Sequence, residues 1–323
     1  MTTELRIGVA GLGYMGRNHA RVLARLEEVE FVGGADPAGD VHRSLGGFAL
    51  HASLDDLIDA GVDGVVLAVP AEQHEKAAVR LAEAGVHTLI EKPLAGDLDG
   101  AMVIRDAFAS TDLVAAVGHI ERFNPALQEM KRKLDENCLR EIFSISTKRV
   151  GPFPLRAYET GVIRDLASHD IDIVHWLIGP FESLTTQVAH RMGPNREDLA
   201  EAVGKAKNDV VVTMSVNWLT PAKERTVTVL GERGALVADL LTSDLTFYSN
   251  AAIPMEWEEM VRLKGVSEGD VTRYAIRKPE PLQSELEGFR DAIMDRPGAQ
   301  VVSLDEGLEV MRVTEVMLNG GIG

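Results

Sequence analysis

Two stretches of this chain hold side chains suited to oxidising an alcohol. The first is Gly161-Val-Ile-Arg164-Asp165-Leu-Ala-Ser-His169-Asp170-Ile-Asp172-Ile-Val-His175-Trp176-Leu177, in which Asp165, His169 and Asp172 stand at i, i+4 and i+7. A helix places that spacing on one face, with Leu166, Ile173 and Leu177 mostly on another. Histidine suits the removal of a hydroxyl proton near neutral pH, and a carboxylate one turn away stabilises the protonated ring and orients it. The same pattern also fits a solvated acidic helix face. It suits a metal less well, because one histidine among acids is no recognisable ligand set. The second stretch is Glu91-Lys92-Pro93, directly after the apolar run His87–Ile90. A lysine at the carboxyl end of a strand can hydrogen-bond a substrate hydroxyl and a cofactor ribose, and Pro93 restrains Lys92 toward an extended backbone. A solvated ion pair between Glu91 and Lys92 is the plainer alternative.

Oxidation needs an electron acceptor, and the start of the chain offers a place for one. Ile7-Gly-Val-Ala-Gly11-Leu-Gly13-Tyr14-Met15-Gly16 is an apolar run breaking into Gly-x-Gly-x-x-Gly, followed by a helix-compatible run, Arg17 to Glu28. Gly11 permits a tight turn, Gly13 a close approach to a pyrophosphate, and Gly16 close packing of helix on strand, with phosphates at the helix N-terminus beside Tyr14 and Met15. A second apolar run, Val29 to Ala35, ends in Asp36, where an acid meets a ribose 2′-hydroxyl and repels a 2′-phosphate. NAD is therefore expected over NADP. Val69-Pro70-Ala-Glu-Gln-His74 ends another apolar run and is expected to border the nicotinamide, with an exposed turn histidine as the alternative for His74. Lys148, Arg149, Arg156 and Arg164 gather ahead of the Asp165 stretch, where they could bind an anionic substrate or be ordinary surface charge.

Up to about residue 120, apolar runs (Leu5–Ala10, Val29–Ala35, Gly64–Val69, His87–Ile90, Val114–Val117) alternate with helical patterns. Glu75 to Ala84, ending at Gly85, is one such helix. This alternation predicts a doubly wound parallel sheet of the Rossmann type. After Pro125 a helix to about Asn137 leads into two-residue alternation at Ile142–Val150, Ser183–Met192, Asp209–Trp218, Thr226–Leu230, Ala235–Leu240 and Leu245–Tyr248, with a hairpin turn at Gly231–Gly234. That pattern predicts an α+β domain whose mostly antiparallel sheet leaves one face open to another subunit. The expected domains are 1–120 and 121–323, with the last helices able to pack back on the first. Ser303-x-x-Glu306 is a capping box opening the final helix, to Leu318. Stretches 193–208 and 251–281 are expected to be loops with short irregular pieces.

The bulk numbers agree with a globular enzyme. The chain has 323 residues and a formal charge of −17, which argues against nucleic acid as a partner. Its one cysteine, Cys138, allows no internal disulfide, so a reducing cytoplasm is expected. No apolar run approaches membrane-spanning length, and no targeting segment is expected ahead of the glycine loop.

The glycine loop, Glu91-Lys92-Pro93 and Asp165-x-x-x-His169-x-x-Asp172, in that order and spacing, resemble the glucose–fructose oxidoreductase / inositol dehydrogenase / rhizopine catabolism (Gfo/Idh/MocA) family nearly end to end. The resemblance implies catalytic roles for Lys92, Asp165 and His169 beside the nicotinamide, and substrate contact for Asp172. It also implies pairing through the open sheet into a homodimer or homotetramer. Thr160-Gly161 stands where the family often has two glycines, and Ala167 where it often has one. Gly118-His-Ile-Glu-Arg122-Phe-Asn124-Pro-Ala126 and Lys148-Arg149-Val-Gly-Pro-Phe-Pro154 resemble the subgroup oxidising nucleotide-linked sugars, such as UDP-N-acetylglucosamine at C3. That implies substrate contacts at Arg122, Asn124, Lys148, Arg149 and Arg164. Within the same fold, a polyol or inositol dehydrogenase and an NAD-recycling glycosidase remain alternatives. A non-catalytic dinucleotide sensor would be expected to have lost the lysine, aspartate or histidine.

Overall fold

The computed structural model describes residues 4–153, 160–194, 196–251 and 268–322. The chain forms two compact units: Met1–Phe123 with Pro279–Arg312, and Asn124–Lys278 with Val313–Gly323.

The first unit is built on six parallel strands, β1 (Leu5–Ala10), β2 (Val29–Ala35), β3 (Ala49–His51), β4 (Gly64–Leu67), β5 (His87–Glu91) and β6 (Ala115–Gly118), in the order β3-β2-β1-β4-β5-β6. Helices α1 (Tyr14–Leu23), α2 (Leu54–Asp59), α3 (His74–Glu83) and α4 (Leu98–Ala109) connect them. Successive strand residues feed two apolar clusters. Val65, Leu67, Ile90 and Val117 enter one; Val66, Leu89 and Ala116 enter the other. Continuous apolar runs are what a sheet covered on both faces requires. Polar caps start the helices: Ser53 Oγ accepts from the Asp56 amide, and Asp97 Oδ1 accepts from the Gly100 amide at 2.8 Å. The chain returns to this unit with α7 (Pro281–Ile293), whose Leu282, Leu286 and Phe289 pack with Ile7 and Val9. The following helix, α8 (Leu304–Leu318), opens on the expected capping box: Ser303 N donates to Glu306 Oε2 at 2.9 Å, and Glu306 N donates to Ser303 Oγ at 3.3 Å. The three-residue β3 had no counterpart among the expected strands.

In the second unit, nine strands run in the order β14-β13-β12-β11-β7-β10-β9-β8-β15. They are β7 (Ile142–Pro152), β8 (Phe181–Ala189), β9 (Leu199–Ala206), β10 (Val210–Asn217), β11 (Leu219–Gly231), β12 (Gly234–Asp239), β13 (Asp244–Asn250), β14 (Glu268–Arg273) and β15 (Gly321–Ile322). Among the described residues of this unit, only β7 and β10 pair in parallel. One face is covered: Val210, Val212, Met214 and Val216 are buried, while the intervening Val211 is exposed. Helices α5 (Pro125–Asp135) and α6 (Ser168–Leu177) belong to this unit.

Strand β9 falls where a loop was expected. Its inward residues, Ala200, Ala202 and Ala206, are small, so the alternation is faint. Gly204 has to be small too, because a Cβ there would lie 2.1 Å from the Ser183 carbonyl oxygen. β14 likewise lies within a stretch expected to be loop; its polar sequence, EGDVTR, suits the sheet edge it occupies. Among the described residues, no helix is long and apolar enough to cross a membrane.

Candidate active site

The glycine loop joins β1 to α1 as expected, and each glycine meets a different constraint. Gly11 has φ +90°, and a Cβ on it would lie 2.5 Å from the Ala68 carbonyl oxygen. On Gly16, a Cβ would lie 1.8 Å from the Gly11 carbonyl oxygen. Gly13 is the opposite case, with nothing within 4 Å of its would-be Cβ. That open side, at an N-terminus with no side-chain cap and no acid in its first turn, is the cradle a pyrophosphate needs. Tyr14 stands beside it, 53% exposed, with the Arg17 guanidinium 4.9 Å from its ring centre. Met15 is half-buried. At the end of β2, Asp36 fixes the loop: its Oδ2 accepts from the Leu12 amide at 2.8 Å and its Oδ1 from the Ala38 amide at 2.9 Å. These residues fit a dinucleotide.

Pro70 is exposed shortly after β4. His74 departs from expectation. It is 1% exposed, its Nδ1 faces the carbonyls of Pro93 and Leu94 at 3.0 and 3.3 Å, and its Nε2 faces Val69 at 2.9 Å. Burial holds its pKa below the ordinary histidine value, against the pull of those carbonyls. His74 is therefore a pin joining two loops. Glu91 also turns inward. Its Oε1 lies 2.7 Å from His19 Nε2, and its Oε2 accepts from the Lys92 amide at 3.1 Å. Lys92 itself is half-buried, directly after β5, in a cis peptide with Pro93.

Arg122 and Asn124, expected as substrate contacts, both make hydrogen bonds within the protein. Arg122 is 5% exposed and donates to Glu306 Oε1 at 2.5 Å. Burial raises the Glu306 pKa, but Arg122 outweighs it and leaves the carboxyl below its usual range. Asn124, in the second unit, caps α5: its Oδ1 accepts from the Ala126 amide at 3.0 Å, and its Nδ2 donates to the Leu240 carbonyl at 3.0 Å.

Asp165 and His169 lie on adjoining turns of different pitch. Residues Ile163–Ala167 form a π turn that runs directly into α6. Such turns interrupt helices frequently at functional sites. The wider turn breaks the expected i, i+4, i+7 face. Asp165 and His169 are half-buried, whereas Asp172 is fully buried. Ser168 Oγ donates to the Arg164 carbonyl at 2.9 Å across the junction.

The basic group is divided by the pleat of β7. Arg149 points to the covered face, where its Nε donates to Asp170 of α6 at 2.9 Å with both side chains 2% exposed. Its neighbour Lys148 must therefore point to the opposite, open face, where it pairs with Glu224 at 2.7 Å. Arg164 is half-exposed and pairs with Glu315 at 2.6 Å. Arg156 lies outside the described residues.

Two residues gave no signal in the sequence. His19 is a polar side chain at an apolar-face position of α1, beside the buried Gly16, Ala20 and Leu23. Glu197, 8% exposed in the β8–β9 connection, reaches the π turn: its Oε1 accepts from the Ile163 amide at 3.1 Å.

Comparison with known proteins identifies the family. A family model described as an oxidoreductase family with an NAD-binding Rossmann fold matches residues 5–119, and a GFO/IDH/MocA C-terminal domain matches residues 127–237. The chain belongs to the Gfo/Idh/MocA family. It is an NAD-binding oxidoreductase with the two-sheet architecture of that family. It is 29% identical over 292 residues to UDP-N-acetylglucosamine 3-dehydrogenase of Acidithiobacillus ferrooxidans, covering 90% of this chain and 89% of that protein. Inositol 2-dehydrogenase 2 of Saccharopolyspora erythraea is 33% identical over 227 residues, covering 66% of each chain. A solved structure of the Acidithiobacillus enzyme superposes with a TM-score of 0.82 at 25% identity, covering 96% of this chain and 95% of that one.

Proposed function

We propose that this oxidoreductase converts a secondary hydroxyl of a sugar to a ketone with NAD, and that the sugar is nucleotide-linked, of the UDP-N-acetylglucosamine type oxidised at C3. The likeness to a UDP-N-acetylglucosamine 3-dehydrogenase over nine-tenths of both chains carries this reading. Bound NAD supplies the two-electron acceptor for the carbinol C–H. The glycine loop would hold its pyrophosphate and Asp36 its ribose. The hydroxyl proton passes to the His169 imidazole, and the Asp165 carboxylate stabilises the resulting cation. The Lys92 ammonium donates a hydrogen bond to the hydroxyl oxygen and lowers the cost of its developing negative charge. Arg164 is the described cation offered to the diphosphate, because an exposed ion pair such as Arg164–Glu315 is weak enough to be exchanged.

A second reading, an inositol or other polyol as substrate, is favoured by one observation. Lys148, Arg149 and Arg164 are each met by a carboxylate, so no described member of the basic group is held ready for an anion. NADH absorbance with UDP-N-acetylglucosamine and myo-inositol in parallel decides between the two. Turnover of the inositol alone overturns the nucleotide-sugar assignment, and near-normal turnover in both His169→Ala and Lys92→Met overturns the chemistry.

The open face of the second sheet carries Val203, Val211, Leu230, Tyr248 and Val271, all exposed. In this reading a second copy of the chain covers them, and light scattering on the purified protein would show a monomer if it does not. The half-buried lone thiol, Cys138, accords with a cytoplasmic location.

A further inference from the structure

Gly161 has its φ in the ordinary range, yet a side chain there would have to displace the Glu197 carboxylate. A Cβ there would lie 1.9 Å from Glu197 Oε1 and 2.1 Å from both Cδ and Oε2. The glycine makes room for one carboxylate, and that carboxylate is buried. Glu197 grips the start of the π turn twice: its backbone carbonyl accepts from the Val162 amide at 3.0 Å and its Oε1 from the Ile163 amide at 3.1 Å. Gly161 supplies a third tie, accepting from the Asp165 amide at 3.1 Å.

The platform behind Glu197 is itself fixed. Asp198, 2% exposed, accepts through Oδ2 from the amides of Arg191 and Met192 at 2.6 and 2.5 Å. Its own amide donates to the Ala189 carbonyl, and its carbonyl accepts from the Trp218 amide, each at 3.0 Å. Glu197 is thus held by the β8–β9 connection and by the strand next to it.

A π turn is the rarer form and appears mostly as a single wide turn within an α-helix, so α pitch is the alternative for this segment. Adopting it would rotate Asp165 about the helix axis relative to His169. We propose that Glu197, with the space left by Gly161, is a positioning residue that keeps Ile163–Ala167 in its wide register and so sets the orientation of Asp165 toward His169. The inference deepens the proposed function, since it rests on Asp165 and His169 carrying the proton transfer.

The test uses the full chain with Glu197→Ala, Glu197→Gln, Gly161→Ala and the double variant Gly161→Ala/Glu197→Ala. Two readouts are needed: NADH formation from NAD and UDP-N-acetylglucosamine, and amide hydrogen exchange of residues 161–170. Glu197→Ala is expected to lower kcat about 10- to 100-fold with the KM for NAD unchanged, as a misaligned catalytic group does. It is also expected to speed exchange within Ile163–Ala167 while the strands stay protected. Glu197→Gln keeps an acceptor oxygen and is expected to restore both readouts to within about threefold. Gly161→Ala should resemble Glu197→Ala, and the double variant should be no worse than either single one, because the clash and its partner vanish together.

Wild-type kcat and exchange in Glu197→Ala would overturn the proposal, as would additive losses in the double variant. His169→Ala separates the two claims. Full turnover in His169→Ala removes the proposed chemistry, while exchange still decides the role of Glu197. A lost turnover in His169→Ala beside normal Glu197→Ala removes only the positioning role.

Discussion

In the first unit, the dinucleotide loop is placed largely by backbone, with the Asp36 carboxylate accepting from the Leu12 amide. Gly11 and Gly16 press against carbonyls, Gly13 faces open space, and Lys92 follows directly from the end of a parallel strand. In the second unit, Asp165 and His169 ride on a turn placed by side chains: Glu197 at its start, and the buried Arg149–Asp170 pair alongside α6. Backbone placement tolerates almost any sequence around a few small residues. Side-chain placement depends on particular buried charges, each costly to desolvate and more costly to orphan. A phosphate cradle built the first way can serve many enzymes, whereas the second way ties the helix to residues far along the chain.

The strongest challenge to that contrast is Arg149→Met. It strands a buried carboxylate and is expected to cost about 3–5 kcal/mol of unfolding free energy in urea. Arg149→Met/Asp170→Leu should recover most of it; if it does not, Arg149 does more than pair with Asp170. Next come the glycines. Gly16→Ala is expected to cost about 1–3 kcal/mol by overpacking against the Gly11 carbonyl. Gly13→Ala meets open space and should cost only about 0.5–1 kcal/mol, for the poorer N-cap. It should still weaken NAD binding about tenfold or more, measured by fluorescence titration. Equal stability losses in the two variants would erase the distinction between a packed and an open glycine.

Acid sharpens the comparison further. His74 is buried with a lowered pKa, so below the ordinary histidine value of about 6.5 the unfolded chain binds a proton that the folded chain refuses. Stability therefore falls as pH drops from about 6.5 toward the folded-state pKa, by up to about 1.4 kcal/mol per pH unit for one proton. His87, also lowered by burial, adds in the same direction. His74→Gln should flatten the slope of urea midpoint against pH between 7 and 5, and an unchanged slope would place the acid sensitivity elsewhere. The smallest expected effect is at Lys148. Its exposed pair with Glu224 makes Lys148→Ala worth under about 1 kcal/mol. The KM for UDP-N-acetylglucosamine should not move, whereas Arg164→Ala should raise it. A KM effect at Lys148 would contradict its placement on the open face.

The same contrast explains what the sequence made legible. The glycine loop, its strand, Asp36 and Glu91-Lys92-Pro93 are short-range patterns, so residue order alone exposes them. The alternation in Val210–Trp218 is likewise local. Glu197 touches a residue 34 positions earlier, and Arg149 one 21 positions later, and no local period encodes such pairings. Lys148 and Arg149 looked like one basic group because they are adjacent, and adjacency in a strand is what sends them to opposite faces. His74 and Glu91 lie at the expected loops, but whether a side chain points out or in is decided by its neighbours: His19 for Glu91, and the Val69, Pro93 and Leu94 carbonyls for His74.

The return of the chain to the first unit has a consequence for how the protein is made. Phe289, Leu286 and Leu282 fill the same apolar cluster as Ile7, Val9 and Phe31, and Val302 accepts a backbone hydrogen bond from Val117 at 2.9 Å. These pieces leave the ribosome only after all of Asn124–Lys278 has been synthesised. At about 5–20 residues per second, the nucleotide-binding half waits roughly ten to thirty seconds with that patch uncovered. A fragment cut at Phe123 would carry the glycine loop intact and still lack part of its own interior. Nascent chains would need a chaperone, or speed, across that interval.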